Sequence, residues 1–219
     1  MKKKKILIAI FLFLLLTTIT TQQEILTSKF NLKEIEVENV FLLKEENIKK
    51  QLFQFYGLNL IFLKNSKIEK VLLENNLIDS FVIKKSYPNT LKIKLFEKKL
   101  IAILIDKKDK FYLSEKMDLI RFEDFKNIDN LPYIIGSKKQ FIILYNNLRK
   151  ANFVIDDIKK YTLRGSNRWD LETYNKKIIK LPIKDYIESI KNFQTVKNNK
   201  NFTKYKIFDY RIKNQLILK

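Results

Sequence analysis

Beyond Phe30 the apolar positions of this chain follow two spacings, every second residue and every third to fourth, and the switch between them marks out its elements. After Phe30 and Leu32, Ile35 and Val37 alternate with Glu34, Glu36 and Glu38, which predicts a half-buried strand. From Glu45 to Tyr56, Ile48, Leu52, Phe55 and Tyr56 form one helical stripe, and Gly57 is placed to end it. The apolar run Leu60-Ile61-Phe62-Leu63 leads into Ser66-Lys67-Ile68-Glu69, whose S-x-x-E spacing predicts a second, reciprocally capped helix burying Ile68, Val71 and Leu72. Phe81-Val82-Ile83 and then Leu91, Ile93 and Leu95 flank Tyr87-Pro88-Asn89-Thr90, two strands joined at a turn. The order is strand, helix, helix, strand, strand.

Further on, Phe141, Leu144, Tyr145 and Leu148 stand at helical spacing, and so do Ile183, Tyr186, Ile187, Ile190 and Phe193. Such stripes predict two amphipathic helices packed on a core rather than a cofactor box. Trp169, beside Asp170, reads as a packing residue. Tyr205 to Ile212 and Leu216 to Leu218 read as two closing strands around Lys213-Asn214-Gln215. The class is α+β.

The N-terminus has a different pattern. Lys2 to Lys5 precede Ile6 to Ile19, almost wholly Ile, Leu, Phe and Ala, and no acid occurs before Glu24. The uncharged stretch 6–23 meets the roughly 17–25 residues that cross a hydrocarbon core. The lysines should hold residues 1–5 in the cytoplasm and place everything after Gln23 outside. A cleaved signal peptide is the competing reading; the Thr17-Thr18-Ile19-Thr20-Thr21-Gln22 stretch offers no A-x-A-like site for cleavage. Both readings put the remainder outside the cytoplasm.

Composition narrows the chemistry. Cysteine and histidine are absent, which removes disulfides, thiolate metal sites, thiol nucleophiles and the commonest general base. Three glycines, Gly57, Gly136 and Gly165, cannot build a phosphate-cradling loop, and neither G-x-S-x-G nor H-E-x-x-H occurs. A non-enzyme without cofactor, metal or small-molecule substrate is expected. The 44 basic residues outnumber 24 acidic ones by 20 and are scattered along the chain. That excess suits anionic surfaces, and a base-biased genome is the plainer explanation of it. An outward-facing domain makes nucleic acid an unexpected partner.

The strand-helix-helix-strand-strand order, with Tyr87-Pro88-Asn89-Thr90-Leu91 before the third strand and Glu97 at its end, resembles a POTRA domain. Directly after one anchor, it resembles the FtsQ/DivIB family of bacterial cell-division proteins. Ile101 to Ile105, Phe111-Tyr112-Leu113 and Leu119-Ile120 look like the hairpin that opens the family's β-domain. Leu131-Pro132-Tyr133-Ile134-Ile135-Gly136 resembles its L-P-x-x-x-G segment, Arg168-Trp169-Asp170-Leu171 its W-D-L strand with Ile179-Lys180-Leu181 pairing after it, and Asp209-Tyr210-Arg211-Ile212 its D-L-R-Y strand.

The resemblance implies a tail (1–5), a transmembrane helix (6–23), a POTRA domain (29–98) and a mostly antiparallel β-domain with flanking helices (99–219). It further implies a non-catalytic divisome scaffold, single-pass in the inner membrane with a periplasmic C-terminal domain, at the septum. Its partners would be FtsB/FtsL-like proteins, and it would help to control septal peptidoglycan synthesis. FtsB would add a strand to the C-terminal edge through Tyr210, Arg211, Ile212, Leu216, Ile217 and Leu218, because an open edge offers unpaired N–H and C=O groups. The plainer reading of these residues is a last hairpin, buried on one side and solvated on the other. The alternative function is a POTRA-bearing chaperone of an outer-membrane assembly or secretion system, although neither POTRA repeats nor a barrel-length region is visible.

Overall fold

The computed structural model describes residues 2–17, 28–123, 125, 128 and 130–219. Helix α1 spans Lys2–Thr17, with Ile6, Leu7, Phe11 and Phe13 all more than half exposed. Its 16 residues reach about 24 Å, short of a bilayer core of about 30 Å. Among the described residues no helix is long and apolar enough to cross a membrane. Positions 18–23 of the expected span lie outside the described residues.

The chain divides into two compact units, Met1–Lys98 and Lys99–Lys219. In the first, β1 (Glu34–Glu38), α2 (Glu45–Gln51), α3 (Asn65–Leu73), β2 (Ile78–Ser86) and β3 (Thr90–Glu97) follow the expected order. The sheet runs β1-β3-β2, with β1 parallel and β2 antiparallel to the central β3. The alternation read from the sequence is what buries Ile35 and Val37 of β1 with Leu91, Ile93 and Leu95 of β3, against Ile48, Leu52, Phe55, Ile68 and Leu72.

Two local expectations are corrected. The stripe from Glu45 is not one α-helix: α2 ends at Gln51 and a 3₁₀ turn, Phe53–Phe55, carries the chain on. Gly57, at φ +78°, therefore closes the 3₁₀ turn, and its N–H donates to the Leu32 carbonyl at 2.9 Å. The Ser66–Glu69 box does not form either, because α3 starts at Asn65 after Lys64, with no side-chain cap. Entry is set by apolar packing: Leu63 and Ile68, before the cap and in the first turn, are both buried in one cluster.

Glu97, at the end of β3, has a purpose the sequence did not reveal. Its carboxylate accepts from the N–H groups of Phe41, Leu42 and Leu43 at 2.8, 2.7 and 3.0 Å, satisfying the turn that leads into α2. Replacing it leaves three donors without this acceptor. Glu97→Ala is expected to cost about 1–3 kcal/mol in urea unfolding; a loss below a few tenths would show that water replaces the carboxylate fully.

In the second unit nine strands form one sheet in the order β12-β11-β10-β9-β8-β7-β4-β5-β6. They are β4 (Leu100–Asp106), β5 (Asp109–Ser114), β6 (Leu119–Arg121), β7 (Tyr133–Ile135), β8 (Ile158–Leu163), β9 (Trp169–Thr173), β10 (Ile178–Lys180), β11 (Ile207–Asp209) and β12 (Ile217–Leu218). Five pairings are antiparallel, and three, β4 with β7, β7 with β8 and β10 with β11, are parallel. Helices α4 (Lys138–Lys150) and α5 (Tyr186–Val196) supply the crossovers between the parallel neighbours β7 and β8 and β10 and β11, whereas β4 is followed by β5 and β6 before β7 pairs beside it. Phe141, Leu144, Leu148, Ile190 and Phe193 from these helices share a core with Leu104, Ile134, Tyr161, Trp169, Leu171, Ile179 and Phe208. Ile183, expected on the α5 stripe, instead precedes the helix and is 56% exposed.

Candidate partner-binding edge

Strand β11 is only three residues long, and the reason is in its last side chain. Asp209 is buried, and its Oδ1 accepts the backbone N–H of Arg211 at 3.1 Å, so the chain turns two residues on instead of extending to Ile212. The guanidinium of the same residue closes the unit: Arg211 Nε lies 2.7 Å from Oδ1 and 2.9 Å from Oδ2, and Nη2 also donates to Oδ2. These hydrogen bonds hold the Asp209 carboxyl below the usual carboxylate range, with Lys180 contributing further.

That turn redirects the segment expected to remain extended. Tyr210 is buried, and its hydroxyl donates to Asn192 Oδ1 on α5 at 2.9 Å; burial pushes its phenol well up. Arg211 and Ile212 are exposed. A tight turn at Asn214, with φ +60°, returns the chain, and the Gln215 N–H donates to the Ile212 carbonyl at 3.2 Å. Strand β12 then comprises only Ile217 and Leu218, shorter than the Leu216 to Leu218 expected. Leu216 and Leu218 pack partly on the core, whereas Ile217 is 36% exposed.

β12 is an edge strand of the sheet, paired antiparallel with β11 and, among the described residues, with no strand on its other side. Ile207 and Lys219 exchange N–H···O=C bonds at 2.9 and 3.1 Å. By antiparallel alternation the N–H and C=O of Leu218, one residue earlier, point away from β11. A mixed cleft of 410 Å³ opens beside this hairpin, between α5 at Glu188 and Asn192 and the loop at Arg211, Ile212 and Leu216.

Behind the edge lies a row of charges that sequence reasoning missed. Asp170 of β9 sits opposite Lys180 of β10, which sits beside Asp209 of β11. Arg164 Nε meets Asp170 Oδ2 at 2.7 Å, and Arg211 caps the other end. Opposite charges on neighbouring strands favour this register. The two-residue D-x-R spacing was the one visible clue, since Asp readily binds a backbone N–H two positions ahead.

The ion pair makes an acid test possible. A carboxyl whose folded pKa is depressed stabilises the fold fully above its unfolded value, about 4, and the contribution is lost as pH falls through the lowered folded value. Asp209→Asn should therefore lower Tm at pH 7 and flatten the Tm profile below about pH 4. A variant whose profile parallels the parent's throughout would remove Asp209 from this role.

Both units match known protein families. Residues 30–98 match the POTRA domain, FtsQ-type, and residues 102–211 match the C-terminal domain of cell division protein FtsQ/DivIB. The chain is 30% identical over 208 residues to cell division protein FtsQ of Rickettsia conorii, covering 91% of this chain and 76% of that one. It is 30% identical over 193 residues to FtsQ of Rickettsia bellii, covering 85% and 71%. The solved extracytoplasmic domain of the cell division protein DivIB from Geobacillus stearothermophilus overlaps 48% of this chain and 96% of its own, at 15% identity and a TM-score of 0.35. With family domains matched on both units and close relatives covering most of its length, the chain belongs to the FtsQ/DivIB family of cell division proteins.

Proposed function

We propose that this chain is a non-catalytic divisome scaffold, anchored in the inner membrane by the segment 6–23, with its POTRA domain (29–98) and β-domain (99–219) in the periplasm. At the septum it binds FtsB/FtsL-like partners and helps to control septal peptidoglycan synthesis. Family membership supports the division role. The apolar, solvent-exposed α1 behind Lys2 to Lys5 supports the anchor and its orientation.

The observation that carries the partner reading is the edge position of β12 among the described residues, with the outward main-chain groups of Leu218. A partner strand added there gains ladder hydrogen bonds, and the exposed Ile217 and Ile212 with the preset Arg211 supply side-chain selection. A fluorescent fusion should concentrate at the division site; an even envelope signal through the whole division cycle would overturn the reading. Capture of an FtsB-like chain by the full-length protein tests the edge itself.

A further inference from the structure

The scattered positive charge of the sequence is not scattered in space. Three stretches of the second unit, 173–184, 189–208 and 210–219, contain no Asp or Glu, and the fold brings them to one end of the sheet. The Ile178 N–H donates to the Lys206 carbonyl at 2.7 Å, and the Lys206 and Ile207 N–H groups donate to the Lys219 carbonyl at 2.8 and 2.9 Å. The Lys177 ammonium donates to the Lys197 carbonyl at the end of α5 at 2.9 Å. Residues 173–219 carry twelve Lys and Arg against three Asp and Glu, a net +9 out of +20 for the chain.

Elsewhere lysines meet carboxylates: Lys92 with Glu36 at 2.6 Å, Lys160 with Glu172 at 2.6 Å. At this end, among the described residues, one lysine forms an ion pair, Lys197 with Asp157 at 2.8 Å. Lys176, Lys200, Lys204, Lys206 and Lys219 are exposed and have no carboxylate partner among the described residues. Uncompensated like charges raise the free energy of the isolated fold and lower it when an anion docks.

We propose that this end of the sheet is a docking face for an acidic polypeptide segment. Membrane-docking faces combine lysines with exposed apolar side chains that insert into lipid. Here Phe202 and Tyr205, the large apolar residues beside Lys200, Lys204 and Lys206, are packed on the core, and the exposed Tyr174, Ile183, Ile212 and Ile217 lie outside that stretch of the chain. Lys206 and Lys219 also flank the bonded end of β12, in line with the open edge. Resting on the strand-addition reading, the face guides the same partner: acidic residues beside its added strand are drawn to this end and fix the direction in which the strand adds.

The test uses the full chain in neutral detergent and fluorescein-labelled decaglutamate, followed by anisotropy. Binding should weaken steeply between about 50 and 200 mM salt. The triple variant Lys200→Gln, Lys204→Gln, Lys206→Gln should bind about tenfold more weakly, against less than about twofold for Lys108→Gln, Lys139→Gln, Lys159→Gln, which removes equal charge elsewhere. Equal weakening by both would overturn the proposal, and so would displacement of the peptide by phosphatidylglycerol micelles at lower charge concentration, which would assign the face to lipid. Leu218→Pro should leave decaglutamate binding unchanged, so a failure of strand addition appears only in partner capture and a failure of the lysine face only here.

Discussion

Replacing Leu218 by proline should abolish capture of an FtsB-like partner by the full-length chain while leaving the fold in place. The N–H of Leu218 points away from β11, so proline removes no bond of the native ladder and loses only the partial packing of the Leu218 side chain on the core. It removes the donor that an added strand would use and puts a ring where that strand's backbone must approach. One lost main-chain hydrogen bond with the accompanying clash is expected to cost about 1.5–3 kcal/mol, or roughly ten- to more than a hundredfold in affinity. Ile217→Pro is the informative contrast. Its N–H faces β11 by the same alternation, so that variant should loosen β12 itself and lower Tm as well as capture. Undiminished capture by a folded Leu218→Pro would mean that partners bind elsewhere.

The sequence made the alternating strands legible because one face of each is buried: Ile35, Val37, Leu91, Ile93 and Leu95 are all in the core. The α4 stripe was legible for the same reason, with Phe141, Leu144, Tyr145 and Leu148 buried together. What periodicity could not supply were points where a single side chain overrides the local pattern. Asp209 ends β11 by binding its own downstream backbone, although the apolar residues Tyr210 and Ile212 suggest continuation. Leu63 moves the start of α3 away from an intact S-x-x-E match. Ile183 fits the helical stripe by spacing, yet the chain enters α5 only after Asp185 in a left-handed conformation, at φ +56°. At the candidate edge, sequence located the closing strands but not which main-chain groups face outward. That depends on which residues of β11 and β12 exchange hydrogen bonds, a long-range property no local window contains.

Gly136 is the position where the smallest substitution should have the largest effect on stability. It follows β7 at φ +145°, a backbone conformation that residues with a Cβ rarely adopt. The space is closed as well: a Cβ built there would lie 2.5 Å from Leu163 Cβ and 3.2 Å from Leu163 Cδ2 on the neighbouring β8. The first contact is with an atom fixed to the backbone, so rotating the leucine side chain cannot relieve it. Relief requires β7 and β8 to separate, and their parallel register, Tyr133 with Lys160 through Ile135 with Thr162, joins the β4–β6 half of the sheet to the β8–β12 half. Backbone strain of about 1–3 kcal/mol and overpacking of similar size act together, so Gly136→Ala should lose about 2–5 kcal/mol. Leu163→Ala keeps its Cβ and therefore should not rescue it; Leu163→Gly, combined with Gly136→Ala, should recover the overlap part but not the strain. Because the edge strands lie on the far side of this seam, partner capture by Gly136→Ala should fall in step with the folded fraction as temperature rises, whereas capture by Leu218→Pro should be absent even where the chain is fully folded.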